Sequence, residues 1–421
     1  MFKKTLLPNN LRLITIPMKE TKAVTLYLVV KVGSRYEGER QNGISHFLEH
    51  LFFKGTKKRP STLLIAKELD GIGANYNAFT SEEMTGFYIQ AEFSQFALAL
   101  DILYDILQNS LFHPREIERE RGVILEEANM YKDTPLRYIF DLYKQLLYGD
   151  TPLGRMVIGR PENIKRFTKE DFIRYKKQFY TSAQIVVAMS GRLEKEMIRE
   201  AERYFGQIPS GVRYEPPLIT DKQTHPQCLL YRKKTDQTHL VLGFKSIPHD
   251  SPLRYGQKVL DVILGVTMSS RLFREIREKR GLCYHIASEV WYFQDTGSLL
   301  VYAGVPLPKT EEAIKLILKE FRKIREKGVT DEELRRAKDY LKGKMALKME
   351  SSYNQAAYFA EQELLLEKTK TPEEELKEIE KVKKNDIIKL AEKIIRPEKL
   401  NLAVIGPFEK KETFEKILIL K

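Results

Sequence analysis

Cysteine is scarce. Two in 421 residues, Cys228 and Cys283, cannot build a disulfide framework, and so low a count suits a reducing compartment. Long apolar runs are lacking as well. The longest, around residues 25–32 and 185–189, are strand-length and fall short of the roughly 18 consecutive apolar residues that a membrane span requires. The opening MFKKTLLPN carries two lysines but no apolar stretch before Pro8, so no cleaved signal peptide is expected. The expectation is a soluble, cytoplasmic protein with no membrane partner. A block of one charge is also missing. Lys plus Arg number 71 against 58 Asp plus Glu, a balance of +13, which alone could suit nucleic acid or an anionic surface. The charges interleave instead: across 315–327 and 373–384, Glu and Lys recur at the spacings of solvated helix faces. With no basic cluster and no RNA motif, no nucleic-acid partner is expected.

What is present is enough material for real cores, 42% hydrophobic against 31% charged residues, which excludes a disordered chain. At roughly 150 residues per domain the length suggests about three domains. Self-similarity suggests two. KEDFIRY from Lys169 and KNDIIKL from Lys384 lie 215 residues apart, and at that offset Phe179 meets Ile394, Val187 meets Leu402, Ala188 meets Ala403 and Gly191 meets Gly406. Each segment reads as a helix followed by an apolar strand that stops at glycine. Upstream, Gly71 maps near Gly281 and Thr85-Gly86 near Thr296-Gly297, while the strand at 24–31 matches 238–245 loosely. The Gly/Pro-rich stretch at 206–217 cannot continue a helix. Domains are therefore expected at 1–205 and 227–421, joined by a linker at 206–226. The fold class is α+β: two homologous domains, each a mainly antiparallel sheet with helices packed on one face.

The segment most informative about chemistry is GISHFLEHLFFKGT at 43–56. His46 and His50 are four apart, so on a helix they stand one turn above each other, and Glu49 shares their face. Phe47, Leu48, Leu51 and Phe52 supply the apolar face that packs the helix inward. With 7 histidines in the chain, a chance His-x-x-Glu-His is expected in about one such sequence in a hundred. Neutral imidazole is a good zinc ligand, and a catalytic zinc takes three protein ligands plus an open position. The third ligand must come from elsewhere. Glu127 is the best candidate, with Glu126 beside it, on a helix opening after His113-Pro114 and stopping at Asp133-Thr-Pro135. Glu120 lies two turns before Glu127 and projects from the same side, placed to support the site. His113, His225, His239, His249 and His285 have no partner at ligand spacing.

These motifs resemble a family. GSRYE at 33–37, Gly43, HFLEH at 46–50 and FKGT at 53–56 are similar to the inverted zinc motif of the pitrilysin/insulinase metallopeptidases, the inverzincins. The resemblance continues through NAFT at 77–80, Glu120 to Glu127 and the second half. It is to the short two-domain branch that includes mitochondrial processing peptidase subunits and bacterial and archaeal relatives. The resemblance implies a zinc-dependent endopeptidase, with His46, His50 and Glu127 as ligands of one Zn2+ per chain. Glu49 would be the base that activates water and Glu120 the supporting carboxylate; the spacing of seven from Glu120 matches Glu127 rather than Glu126 to the family pattern. In the second half, Arg277 and Tyr284 resemble the family's arginine/tyrosine pair, which contacts substrate backbone and the developing oxyanion. The substrate would be a peptide or unfolded polypeptide, extended along a sheet edge near 74–80 and touching Asn77. Since larger members close a chamber from two such chain lengths, the resemblance implies a homodimer in which Arg277 and Tyr284 of one subunit complete the zinc site of the other. Non-catalytic relatives typically lose metal ligands, and none is missing here.

Overall fold

The computed structural model describes residues 2–420, which form two compact units, each built on its own sheet. The first sheet comprises β1 (Lys3–Leu6), β2 (Arg12–Pro17), β3 (Ala23–Val30), β4 (Asn75–Thr80), β5 (Thr85–Glu92) and β6 (Ile185–Gly191), in the order β1-β2-β6-β3-β5-β4. The second comprises β7 (Gln227–Arg232), β8 (Gln237–Ser246), β9 (His285–Tyr292), β10 (Gly297–Pro306) and β11 (Leu400–Gly406), in the order β7-β11-β8-β10-β9. Both are mainly antiparallel, and each has a single parallel pair, β2 with β6 and β7 with β11. The sequence repeat is visible in the ladders. Val187 of β6 pairs with Leu28 of β3, and Leu402, 215 residues on, pairs with Leu242 of β8.

Strand composition explains the layering. β3 reads AVTLYLVV and β10 GSLLVYAGVP, β-branched and aromatic residues with both faces apolar, so both faces must be covered. In β10, Leu299, Val301 and Ala303 join the core that contains Phe321 of the helix Thr310–Lys327, whereas Leu300 and Tyr302 join a second core with Tyr143 and Leu147. The alternation puts these cores on opposite faces of one sheet. The first sheet is built alike. Phe87 of β5, paired with Leu28, meets Phe52 of the helix Ile44–Phe52 at 5.1 Å between ring centroids. Tyr88, one residue on and thus on the other face, meets Tyr353 of the helix Ser352–Leu366 at 4.6 Å.

Those second-face helices are what the domain expectation misplaces. The first unit comprises residues 2–129, Arg155–Pro217 and Ala346–Lys370; the second comprises Met130–Gly154, Leu218–Met345 and residues 371–420. The passage between Pro217 and Leu218 falls inside the expected 206–226 linker, but the units are not contiguous halves. The helix Pro135–Tyr148 belongs to the second sheet: Tyr148 Oη donates to Gly297 O at 3.1 Å, and the Tyr143 hydroxyl lies 3.2 Å from Ser298 Oγ. The helix Ser352–Leu366 belongs to the first, where Tyr27 Oη donates to Glu361 at 2.7 Å and Ser352 Oγ lies 2.9 Å from Thr25 Oγ1. Each half of the sequence lends one helix to the other's sheet. Helical periodicity shows that a helix has a buried face but not which sheet buries it.

Candidate metal centre

Why the His helix starts where it does is decided by a carboxylate. Glu37, 1% exposed, accepts from Gly43 N and Ser45 N, both at 2.8 Å, and from Asn42 Nδ2 at 3.2 Å. It thereby satisfies amides at the helix start and sets a negative group at the positive end of the helix dipole. Burial pushes the Glu37 carboxyl up, and these donors oppose that shift. Gly43 precedes the helix at φ +101°, and a Cβ there would stand 2.8 Å from Gly159 Cα, so only glycine fits the turn. From this start Phe47, Leu48, Leu51 and Phe52 are buried, and the opposite face carries His46, Glu49 and His50.

The long helix Pro114–Asp133 brings in Glu120 and Glu127. His46 Nε2 and His50 Nε2 each lie 3.7 Å from the same oxygen, Glu127 Oε2, and the candidate ligand atoms of the three residues all lie within 4.8 Å of one another. Among the described residues this is the group placed to hold a metal ion, and it contains Glu127 rather than Glu126. His50 Nδ1 lies 3.1 Å from Glu120 Oε2, and Glu120 Oε1 takes the Lys54 ammonium at 2.7 Å. Glu49 Oε2 accepts from Thr80 Oγ1 at 2.7 Å.

The electrostatics suit a cation. Burial and the neighbouring His50 push the His46 imidazole down to about 3, so it is neutral and its lone pair is available. Burial would lower His50 too, but its bond to Glu120 and the carboxylates of Glu49 and Glu127 prevail and raise it. Burial raises Glu49 against the opposing Thr80 hydroxyl and His50. Glu120 is lowered, since His50 and Lys54 outweigh its burial. A Glu120 that stays ionised holds the proton on His50 Nδ1 and turns Nε2 toward Glu127. The donor set of two imidazoles and one carboxylate is a zinc set, and its 3.7 Å separations are too long for hydrogen bonds. They approach the roughly 3.3 Å edge of a tetrahedron whose ligands stand about 2.0–2.1 Å from a shared ion. The residues fit zinc.

Comparison with known proteins agrees with this geometry. Residues 12–160 match the family described as Insulinase (Peptidase family M16), and residues 166–341 match Peptidase M16 inactive domain. The uncharacterized zinc protease YmxG of Bacillus subtilis is 32% identical, over 97% of this chain and 98% of its own. The chain belongs to the insulinase family. An uncharacterized zinc protease of Rickettsia felis shares 35% identity with this M16 peptidase over 96% of the chain and 98% of its own. A protease from Helicobacter pylori has the same fold, with TM-score 0.90 and 23% identity over 97% of this chain and 100% of its own.

The remaining site candidates of this M16 peptidase lie in the second unit. Arg277 sits on the π-helical turn Phe273–Glu278, and its guanidinium stacks on the rings of Phe273 and Tyr284, 4.7 and 5.1 Å from their centroids. Tyr284, just before β9, is 80% exposed, so its phenol faces outward beside the Arg277 guanidinium. After β8, where the first unit has the His helix after β3, the helix Arg254–Asp261 and the turn that follows it contribute Leu260, Val262, Ile263 and Leu264 to the core. Three contacts were not read from sequence: Glu37 at the helix start, Lys54 on Glu120, and Thr80 on Glu49. Lys54 and Thr80 sit in the FKGT and NAFT motifs, and that placement was the available signal.

Proposed function

We propose that this M16 zinc metalloprotease is an endopeptidase acting on peptides or unfolded polypeptides held extended beside the His helix. The observation that carries the reading is the convergence of His46, His50 and Glu127 within 4.8 Å, with Glu49 on the same helix. His46, His50 and Glu127 would hold the ion, one per chain, and Glu120, backed by Lys54, keeps His50 turned toward it. Zinc, when bound, supplies the Lewis acidity that an unactivated amide and water both need. Glu49 takes a proton from the attacking water on its carboxylate and returns it to the nitrogen of the departing amine. Tyr284 and Arg277 are assigned to the substrate backbone and the developing oxyanion.

β4 supports the extended pose. It ends the first sheet, paired only with β5, so its outer edge offers backbone N–H and C=O groups to a peptide of almost any sequence. Asn77 is exposed on that strand and is assigned to substrate contact. We further assign a homodimer in which Arg277 and Tyr284 of one subunit complete the other's zinc site. Among the described residues no helix is long and apolar enough to cross a membrane. Both cysteines are free thiols, which supports a cytoplasmic setting.

The test is a mass-spectrometric cleavage profile on a mixed peptide library, wild type against Glu49→Gln, with zinc measured on both. Cleavage by wild type alone, at equal zinc content, is expected; equal cleavage by both proteins overturns the reading. For assembly in trans, inactive Glu49→Gln and Tyr284→Phe chains should regain activity when mixed, and persistent inactivity of the mixture rules it out.

A further inference from the structure

Glu49 is reached from an unexpected direction. The base assigned above is on the His helix, yet the side chain holding its carboxylate comes from the sheet: Thr80, the last residue of the edge strand β4, donates its hydroxyl to Glu49 Oε2 at 2.7 Å. A glutamate has three side-chain torsions and samples many carboxylate positions unless something fixes one oxygen. Thr80 fixes Oε2 and leaves Oε1 for the proton. Threonine, branched at Cβ, has few rotamers of its own.

Thr80 is held just as closely. It pairs with Thr85 across the β4–β5 hairpin, whose turn is closed by Ser81 N donating to Met84 O at 2.9 Å. The segment Gly33 to Glu37 clasps that turn. Ser34 N donates to Ser81 O at 3.1 Å and Arg35 N to Glu82 O at 2.8 Å, while the fully buried Arg35 guanidinium pairs with Glu83. Gly33 lies so close that a Cβ would meet Ser81 O at 2.2 Å. Two residues beyond Arg35, Glu37 binds the first amides of the His helix. One short segment therefore fixes both the strand end bearing Thr80 and the helix bearing Glu49, and the hydroxyl-to-carboxylate bond spans the gap between them.

We infer that Thr80 is a positioning residue that couples occupancy of the β4 edge to the orientation of Glu49: a peptide chain pairing along β4 stiffens the strand end, and Thr80 transmits that order to the base. This rests on the assignment of Glu49 and of the β4 edge made above. The consequence is a length dependence in turnover as well as in binding, since a peptide too short to pair along β4 leaves the strand end, and with it the carboxylate, less ordered.

The experiment measures kcat and KM for a short and a long fluorogenic peptide with wild type, Thr80→Val, Thr80→Ser and Glu49→Gln, with zinc content determined for each. Thr80→Val should lower kcat on the long peptide about 10- to 100-fold while KM moves less than about twofold, zinc stays bound, and the kcat advantage of the long peptide over the short one disappears. Thr80→Ser, which keeps the hydroxyl, should restore kcat to within about threefold and restore the length advantage. If Thr80→Val does not fold, Thr80→Ala is read in its place. A Thr80→Val enzyme with wild-type kcat on both peptides overturns the inference, as does a Thr80→Ser as impaired as Thr80→Val, or loss of zinc on substitution. Glu49→Gln separates the two failures. If it is inactive while Thr80→Val is unimpaired, only the coupling is wrong; if it is as active as wild type, the assignment of the base falls and the coupling with it.

Discussion

Five strands of each unit share one order, with β1 added at the edge of the first sheet, and the units differ in what stands on them. In the first, the helix beside the edge strand carries two imidazoles and a carboxylate, and a hydroxyl of that strand, Thr80 on β4, holds the carboxylate of Glu49. In the second, the edge strand is β9, and its Ser288 holds the carboxylate of Asp261, at the end of the helix Arg254–Asp261. Burial raises both acids, Asp261 to about 7. The architectural echo is close, yet the neighbours of Asp261 in sequence, Leu260, Val262, Ile263 and Leu264, all join the core, and the groups that act on its carboxyl besides burial are Ser288 and Glu289. A metal centre is thus a matter of a few side chains placed on a scaffold that exists with or without them.

The sharpest way to break that comparison is to remove a ligand proposed for the ion. His50→Ala should reduce bound zinc from about one per chain to none and abolish cleavage, as chelation should in wild type, whereas Asp261→Asn should keep both. Zinc lost from Asp261→Asn would mean that the units do not divide the chemistry as described. Next in size, Glu120→Gln keeps the shape of the support but removes its charge from His50 and Lys54; zinc affinity should fall about 10- to 100-fold in a competition titration. An unchanged affinity would leave Glu120 as packing alone.

The second unit's buried acid predicts a pH signature. Its pKa is higher folded, at about 7, than in the unfolded chain, about 3.9. The folded state therefore resists ionisation, and stability that is intact below about pH 4 is lost as pH rises through about 7. Asp261→Asn, which retains an acceptor for Ser288, should gain stability over wild type progressively across that window in thermal melts. A pH-independent difference would sink the linkage. The smallest effects compare the two lent helices. Tyr27→Phe leaves the half-buried Glu361 carboxylate without its 2.7 Å donor and should cost about 1–3 kcal/mol in denaturant unfolding. Tyr143→Phe leaves Ser298 its bond to Phe244 O at 3.0 Å and should cost at most about 1 kcal/mol. The reverse order would mean that the second sheet depends more on its lent helix than the first does.

Much of the centre was legible because its signals are local. Four residues separate His46 from His50 and seven separate Glu120 from Glu127, and the period of a helix turns those spacings into shared faces. Thr80 lies 31 residues from Glu49, and no periodicity relates a strand end to a helix face. Glu37 and Lys54 are nearer in sequence, but their roles need a turn to close back on a helix start and a second helix to bring Glu120 within reach. The lent helices escaped for the same reason. Residues 135–148 and 352–366 form helices in the structure, and each lies within the half of the sequence whose sheet it does not cover.

The sequence by itself determined the His helix, the helix bearing Glu120 and Glu127, the repeat that makes two similar sheets, and the motif that marks one of them as a zinc peptidase, because each is written in spacings of a few residues or in one offset repeated along the chain. Only the tertiary structure decided which sheet each lent helix covers, that Glu127 stands against both imidazoles, and that the edge strand holds the Glu49 carboxylate. Those are contacts between groups distant in sequence, and a chain specifies them through the packing and burial of whole surfaces, which no local pattern records.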